Sequence, residues 1–273
     1  LTYRLLKLGF RLDQLYDYHL GSIAATGSEL VDAGVATGAL LFLICSIAYV
    51  AENGLSFGLI DTSCWQAKAM LIGLIFVPFQ IGMFFMWNSK LVVDGANDNL
   101  TGCYMGIAIL KALKDQGVEL ENTEVGVILT GSEEAGLRGS KAFAKANKDM
   151  LNDGVETVFV SFDTIRELEF AKIYEKDMTG MVKNDRRVAE LLQTAAKTVG
   201  IDVPIGTIEL GSTDAAAMSQ AGVPASAFTA MDPTPARYYH TRLDTADNLS
   251  AQAIDTGVKV ALETVFLYDE KGI

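Results

Sequence analysis

At 273 residues, half of them hydrophobic, the chain is long enough for one sizeable core and an appendage. A net charge of −12 argues against a nucleic-acid partner, because binding phosphate takes clustered Lys and Arg. Positive mean hydropathy beside that charge requires apolar and charged residues to be segregated along the chain. They are: residues 34–88 hold few charges, and residues 89–273 hold most of the carboxylates.

In chain order, residues 1–33 form an N-terminal remnant. Leu1 to Phe10 lacks the charged-then-apolar layout of a signal peptide, and the chain reads as a fragment whose start lies upstream. Gly34 to Ala51 and Ala69 to Trp87 are uninterrupted apolar stretches without a charge, each near the roughly 20 residues a helix needs to cross a hydrocarbon core. Pro78 is tolerated in a membrane helix, and Trp65 and Trp87 fall where interfacial aromatics belong. We expect a transmembrane helical hairpin over residues 34–88, two spans of a multi-pass membrane protein, against the alternative of two buried core helices. Arg4, Lys7, Arg11 and Lys90 face Lys68 alone at the tip, which puts the following domain on the cytoplasmic side. Cys45, Cys64 and Cys103 are far apart with no CxxC spacing, so they read as free thiols.

From residue 89 the pattern alternates. Glu124–Thr130, Thr157–Phe162, Glu169–Tyr174, Ile205–Leu210 and Ala225–Ala230 read as buried strands. Thr101–Gln116, Leu137–Asn147, Asp185–Val199, Thr213–Gln220 and Ala251–Tyr268 carry helical spacing, several after a capping Thr, Asp or Ser. The expected fold of residues 89–273 is α/β, a mostly parallel central sheet with helices on both faces.

Four stretches gather charge at the ends of these strands, where open α/β sheets place their sites. Asp98 lies in a Gly-Ala-Asn-Asp-Asn turn before a helix; it suits a metal ligand with Asn neighbours to orient it, or a plain helix cap. Glu133 and Glu134 leave a buried strand side by side, which needs a cation or shared proton unless both are solvated. Asp163 closes the strand TVFVSFD and reads as a ligand or a turn residue. His240, in Tyr-Tyr-His-Thr-Arg-Leu-Asp, is one of only two histidines, and neutral imidazole suits zinc, though a lone His also serves structure.

Together GANDNLTG, GSEEAGLRGS, SFD and YYHTRLDT, in this order, resemble the zinc exopeptidases that include bacterial leucyl aminopeptidases, aminopeptidase Y and glutamate carboxypeptidase II. The resemblance implies a catalytic domain over residues 89–273, a zinc-dependent hydrolase whose substrate is a peptide. By position it implies Asp98 bridging two zinc ions, Glu134 and His240 completing one, and Asp163 serving the other. It further implies Glu133 as general base and Tyr239 as hydrogen-bond donor to the oxyanion. Asp214 matches loosely as a substrate contact, with helix capping as its other role. Such relatives carry a His-x-Asp upstream of the Gly-Ala-x-Asp turn. His19 only superficially resembles that motif, so the missing imidazole is expected before Leu1, leaving one tight zinc site, a weak second one and little or no peptidase activity in this chain. The hairpin suggests a membrane-tethered subgroup. The leading expectation is an aminopeptidase, with carboxypeptidase or dipeptidase activity also open. Competing readings are a single-zinc glutaminyl-cyclase-like acyltransferase and a non-catalytic membrane scaffold that keeps the peptidase fold.

Overall fold

The computed structural model describes residues 37–54, 63–78, 80–81, 92–151, 153–209, 211–232 and 238–273. The expected remnant over residues 1–33, His19 within it, and parts of both apolar stretches lie outside the described residues. The chain falls into two compact units, one reaching Val92 and the other formed by Val93–Thr234 with Tyr238–Ile273.

In the first unit, residues 37–53 are helical, and α1 (Trp65–Gly73) continues into a 3-10 turn at Leu74–Phe76. Cys64 caps α1, its sulfur accepting from the Ala67 amide at 3.4 Å. The two helices meet through small residues. A Cβ on Gly38 would stand 2.7 Å from Phe76 Cβ, and Gly73 sits against Leu41 and Phe42. Gln66, fully buried, donates to Glu52 at 2.6 Å, tying the end of the first helix to the start of α1. Among the described residues no helix is long and apolar enough to cross a membrane.

The second unit is built on a five-stranded sheet: β1 (Phe159–Ile165), β2 (Ala171–Asp177), β3 (Val182–Lys183), β4 (Ile205–Thr207) and β5 (Ala225–Ala230). The order is β1-β5-β2-β3, with β4 also on β2. Here the structure corrects the expectation of a mostly parallel sheet. β1 with β5 and β2 with β4 run parallel, but β2 runs antiparallel to both β5 and β3. The cause is connection length. β1 and β2 flank β5, and the short stretch Arg166–Phe170 between them is too brief to carry the chain back along the sheet, as parallel strands require, so β2 runs opposite to β1. A second correction concerns Glu124–Thr130. It forms no strand among the described residues, although Val125 packs with Ile109, Leu113 and Ala261.

Helices cover both faces because β5 alternates. Phe228 and Ala230 join Ile165 and Ile173 beneath α2 (Thr101–Asp115), α4 (Arg186–Val199) and α6 (Ala251–Lys271), through Met105, Leu192 and Val260. Ala225 and Ala227 face the other way, against Ala144 of α3 (Arg138–Ala146) and Ala215 and Met218 of α5 (Asp214–Gln220). Asp185, Thr213 and Ser250 cap α4, α5 and α6, each accepting a backbone N–H of the first turn.

Candidate metal centre and active site

Each candidate ligand sits on a turn held by bonds from elsewhere in the chain. The turn Ala96–Leu100 follows Gly95, whose φ of 61° is left-handed, and within it Asp98 leaves helical geometry at φ −114°, ψ 90°. Asn99 staples this turn to the end of β1. Its amide donates to the Phe162 carbonyl at 2.9 Å, and its own oxygen accepts from the backbone of Gly102 and Thr164. α2 starts so close to β1 that a Cβ on Gly102 would lie 2.2 Å from the Phe162 oxygen. Glycine is required there. At the strand end Thr164 adopts a φ of 48°, uncommon for a β-branched residue, and Asp163 emerges beside it, accepting from the Thr164 hydroxyl.

Glu133 and Glu134 lie on the turn from Ser132 to Leu137, both ends of which have left-handed backbone, and which is closed by Gly136 and Leu137 amides on the Glu133 carbonyl. His240, also left-handed at φ 55°, lies in a turn tied by Thr241 N to Tyr238 O. Tyr238, buried, donates its hydroxyl to Glu167 at 2.8 Å beneath the Arg166 guanidinium.

These turns converge. Asp98, Glu134 and His240 each offer one ligand atom, all within 4.8 Å of one another. His240 Nε2 stands 3.4 Å from Asp98 Oδ2 and 3.1 Å from Glu134 Oε1. Tetrahedral zinc with bonds of about 2.05 Å needs donors roughly 3.3 Å apart, so this nitrogen and two oxygens fit it. Asp163 is outside this trio, but its charge is felt by Asp98.

The electrostatics carry the same message. Burial, then the charges of Asp163 and Glu134, raise Asp98 to about 8. Burial, then Asp163 and Glu134, raise Glu133 to about 8, and burial raises Asp163 to about 6. Glu134 is instead held low by its hydrogen bond with His240. Burial would depress His240, but Glu134, Asp98 and Glu133 outweigh it and raise it. So many carboxylates in one place call for a cation. Tyr239 stacks on His240 with ring centroids 3.9 Å apart, and burial with the surrounding carboxylates drives its hydroxyl strongly upward, keeping it a donor.

Asp214 does not join the cluster. It is buried, and its two oxygens accept from Thr130 and Ser140, the latter at 2.5 Å, on either side of the Glu133–Glu134 turn. Thr213, not Asp214, caps α5. Sequence reasoning passed over Asp177, whose fully buried carboxylate accepts from Met178 N, Ser212 Oγ and both Thr213 N and Oγ1. It gave Asp244, the last residue of the Tyr-Tyr-His-Thr-Arg-Leu-Asp stretch, no role of its own. An Asp closing a β-rich run before a turn was the one available signal for the former.

An α/β sheet with helices on both faces thus carries a convergent Asp-Glu-His trio, with Glu133 beside it, whose donors suit a metal ion. The chain belongs to peptidase family M28, whose model matches residues 85–265. The zinc aminopeptidase BSAP from Bacillus subtilis is similar in structure, with 25% identity over 66% of this chain and 44% of that one and a TM-score of 0.55. An aminopeptidase from Aneurinibacillus sp. strain AM-1 is similar at 24% identity, 64% and 40% coverage and a TM-score of 0.52. A glutaminyl cyclase from an Acidobacteriales bacterium shares the fold at 18% identity, covering 67% of this chain and 65% of its own, with a TM-score of 0.51. The chain thus spans less than half the length of the two aminopeptidases. No curated protein sequence matches it.

Proposed function

We propose that the chain forms the catalytic domain of a zinc-dependent exopeptidase that releases N-terminal residues from peptides. The observation that carries this is the meeting of Asp98, Glu134 and His240 beside Glu133. Asp98, Glu134 and His240 would hold zinc, with Asp98 and Asp163 serving a second ion. Bound zinc supplies Lewis acidity, acidifying water and polarising a carbonyl. Glu133, next to the trio but outside it, would accept the attacking water's proton and return it to the leaving amine. Tyr239, whose ring stacks on His240, would donate its hydroxyl to the developing oxyanion. Zinc content of the chain, and hydrolysis of aminoacyl reporter substrates by a chain extended upstream to supply the expected imidazole, each compared with His240→Ala and Glu133→Gln, test this reading. Support is zinc lost in His240→Ala and, with zinc retained, hydrolysis lowered by about 10²–10⁴-fold in Glu133→Gln. Zinc binding indifferent to His240→Ala overturns it.

One observation favours a second reading. The described trio makes one three-donor site, which also suits the single-zinc glutaminyl-cyclase-like chemistry of the same fold. Ring closure of a peptide with N-terminal Gln, in place of hydrolysis, would select it.

We further propose that residues 34–88 hold the domain to a membrane, with the domain on the cytoplasmic side. Leu40, Leu43, Ile44 and Ile47 on the first helix and Leu71, Ile72 and Ile75 on the second turn outward, while glycines form the contact between the helices. That arrangement suits apolar surroundings, where helices associate through small residues. Retention in the membrane pellet after alkaline carbonate, and protease access from the cytoplasmic side alone, are the expected results.

A further inference from the structure

Asp98 and His240 are 142 positions apart in sequence, yet the turns that bear them are joined directly. The joint is Asp244, four residues after His240 and only 2% exposed. Its Oδ1 accepts from the Asn97 backbone at 2.7 Å and from Asn97 Nδ2 at 2.8 Å, and its Oδ2 accepts from the Asp98 backbone at 2.9 Å. Its own carbonyl accepts from Ala96 at 3.2 Å, and its own amide closes the His240 turn onto the Thr241 carbonyl at 3.1 Å. Two successive amides of the Asp98 turn are therefore pinned by one carboxylate that belongs to the His240 turn.

We infer that Asp244 is a positioning residue for the metal centre: its carboxylate locks the Asp98 turn to the His240 turn and thereby sets the affinity for zinc. This rests on the zinc reading of Asp98, Glu134 and His240. The reason is geometric. Asp98 reaches the 3.4 Å approach to His240 from a backbone that leaves helical geometry, and a ligand held loosely costs affinity because the ion must order it. The same fold contains a natural control. Asp269 likewise accepts from two successive amides of a distant segment, Glu121 at 3.0 Å and Asn122 at 2.7 Å, but on the exposed end of α6 and between turns that bear no ligand.

The test is zinc affinity, by chelator competition, of the unaltered chain, Asp244→Asn and Asp269→Asn, with far-UV dichroism and thermal midpoint of each metal-free protein. Asn at 244 offers one acceptor where two amides donate, and turns an N–H₂ toward the other. Zinc affinity is expected to fall about 10–100-fold in Asp244→Asn and to stay within about twofold in Asp269→Asn. If Asp244→Asn does not fold, Asn97→Ala removes a single bond to Asp244 and should still weaken zinc several-fold. Parental affinity in a folded Asp244→Asn, or in Asn97→Ala where the first is unfolded, overturns the inference and leaves the metal centre standing. An unaltered chain that binds no zinc overturns both.

Discussion

Glu133 and Glu134 are neighbours whose carboxyls are driven apart: burial and nearby carboxylates lift the first to about 8, and a hydrogen bond to His240 holds the second low. Without metal this has a sign for stability. Asp98 and Glu133 keep protons in the fold that the unfolded chain releases near pH 4, and Asp163 does so to about 6. Raising the pH from about 4 to about 8 therefore favours the unfolded state. His240, raised above its usual value, acts in the same direction, since its contribution is lost as pH rises through its folded pKa. Glu134 opposes only as pH falls through its lowered value. Denaturant midpoints of the metal-free protein should fall from pH 5 to pH 8, and saturating zinc should remove most of that slope; a flat metal-free profile would contradict the assignment. The six residues of the proposed site could be picked out in sequence because their chemistry is local to short motifs. Asp244 and Asp177 could not, because a buried carboxylate acting as a clamp differs from a turn Asp only in what reaches it from far away.

Among elements, α2 and β1 make the tightest joint. Gly102→Ala would force its methyl into the Phe162 carbonyl, a backbone atom that cannot swing aside. A loss of about 1–3 kcal/mol in chemical denaturation is expected, together with displacement of Asp98 and Asp163, which flank the joint. Asp214→Ala should cost a similar amount, about 1–3 kcal/mol, by removing the carboxylate that takes the Thr130 and Ser140 hydroxyls and leaving Ser140 only the Leu137 carbonyl. The helices of this unit were readable because caps and a 3.6-residue period are properties of the segment itself. Strand pairing was not, because Glu124–Thr130 carries a strand's pattern but pairing belongs to its neighbour, and the direction of β2 follows from the short turn at Arg166–Phe170.

For the whole molecule, zinc at about a hundred times its dissociation constant should add about 2.7 kcal/mol of stability. Thermal unfolding would show the rise in the unaltered chain and none in His240→Ala. The membrane proposal rests on the apolar runs of residues 34–88, although no described helix there is long and apolar enough to cross a bilayer. Finally, every ligand of the trio rides on a connecting turn, and the Asp98 and His240 turns meet through bonds between residues 147 apart in sequence. Closing so long a loop delays such contacts until the sheet and its helices have assembled. The ion cannot nucleate this fold: it would be captured late in refolding and shed early in denaturation, and a dye that lights up on freed zinc would time the loosening of tertiary structure ahead of helix melting.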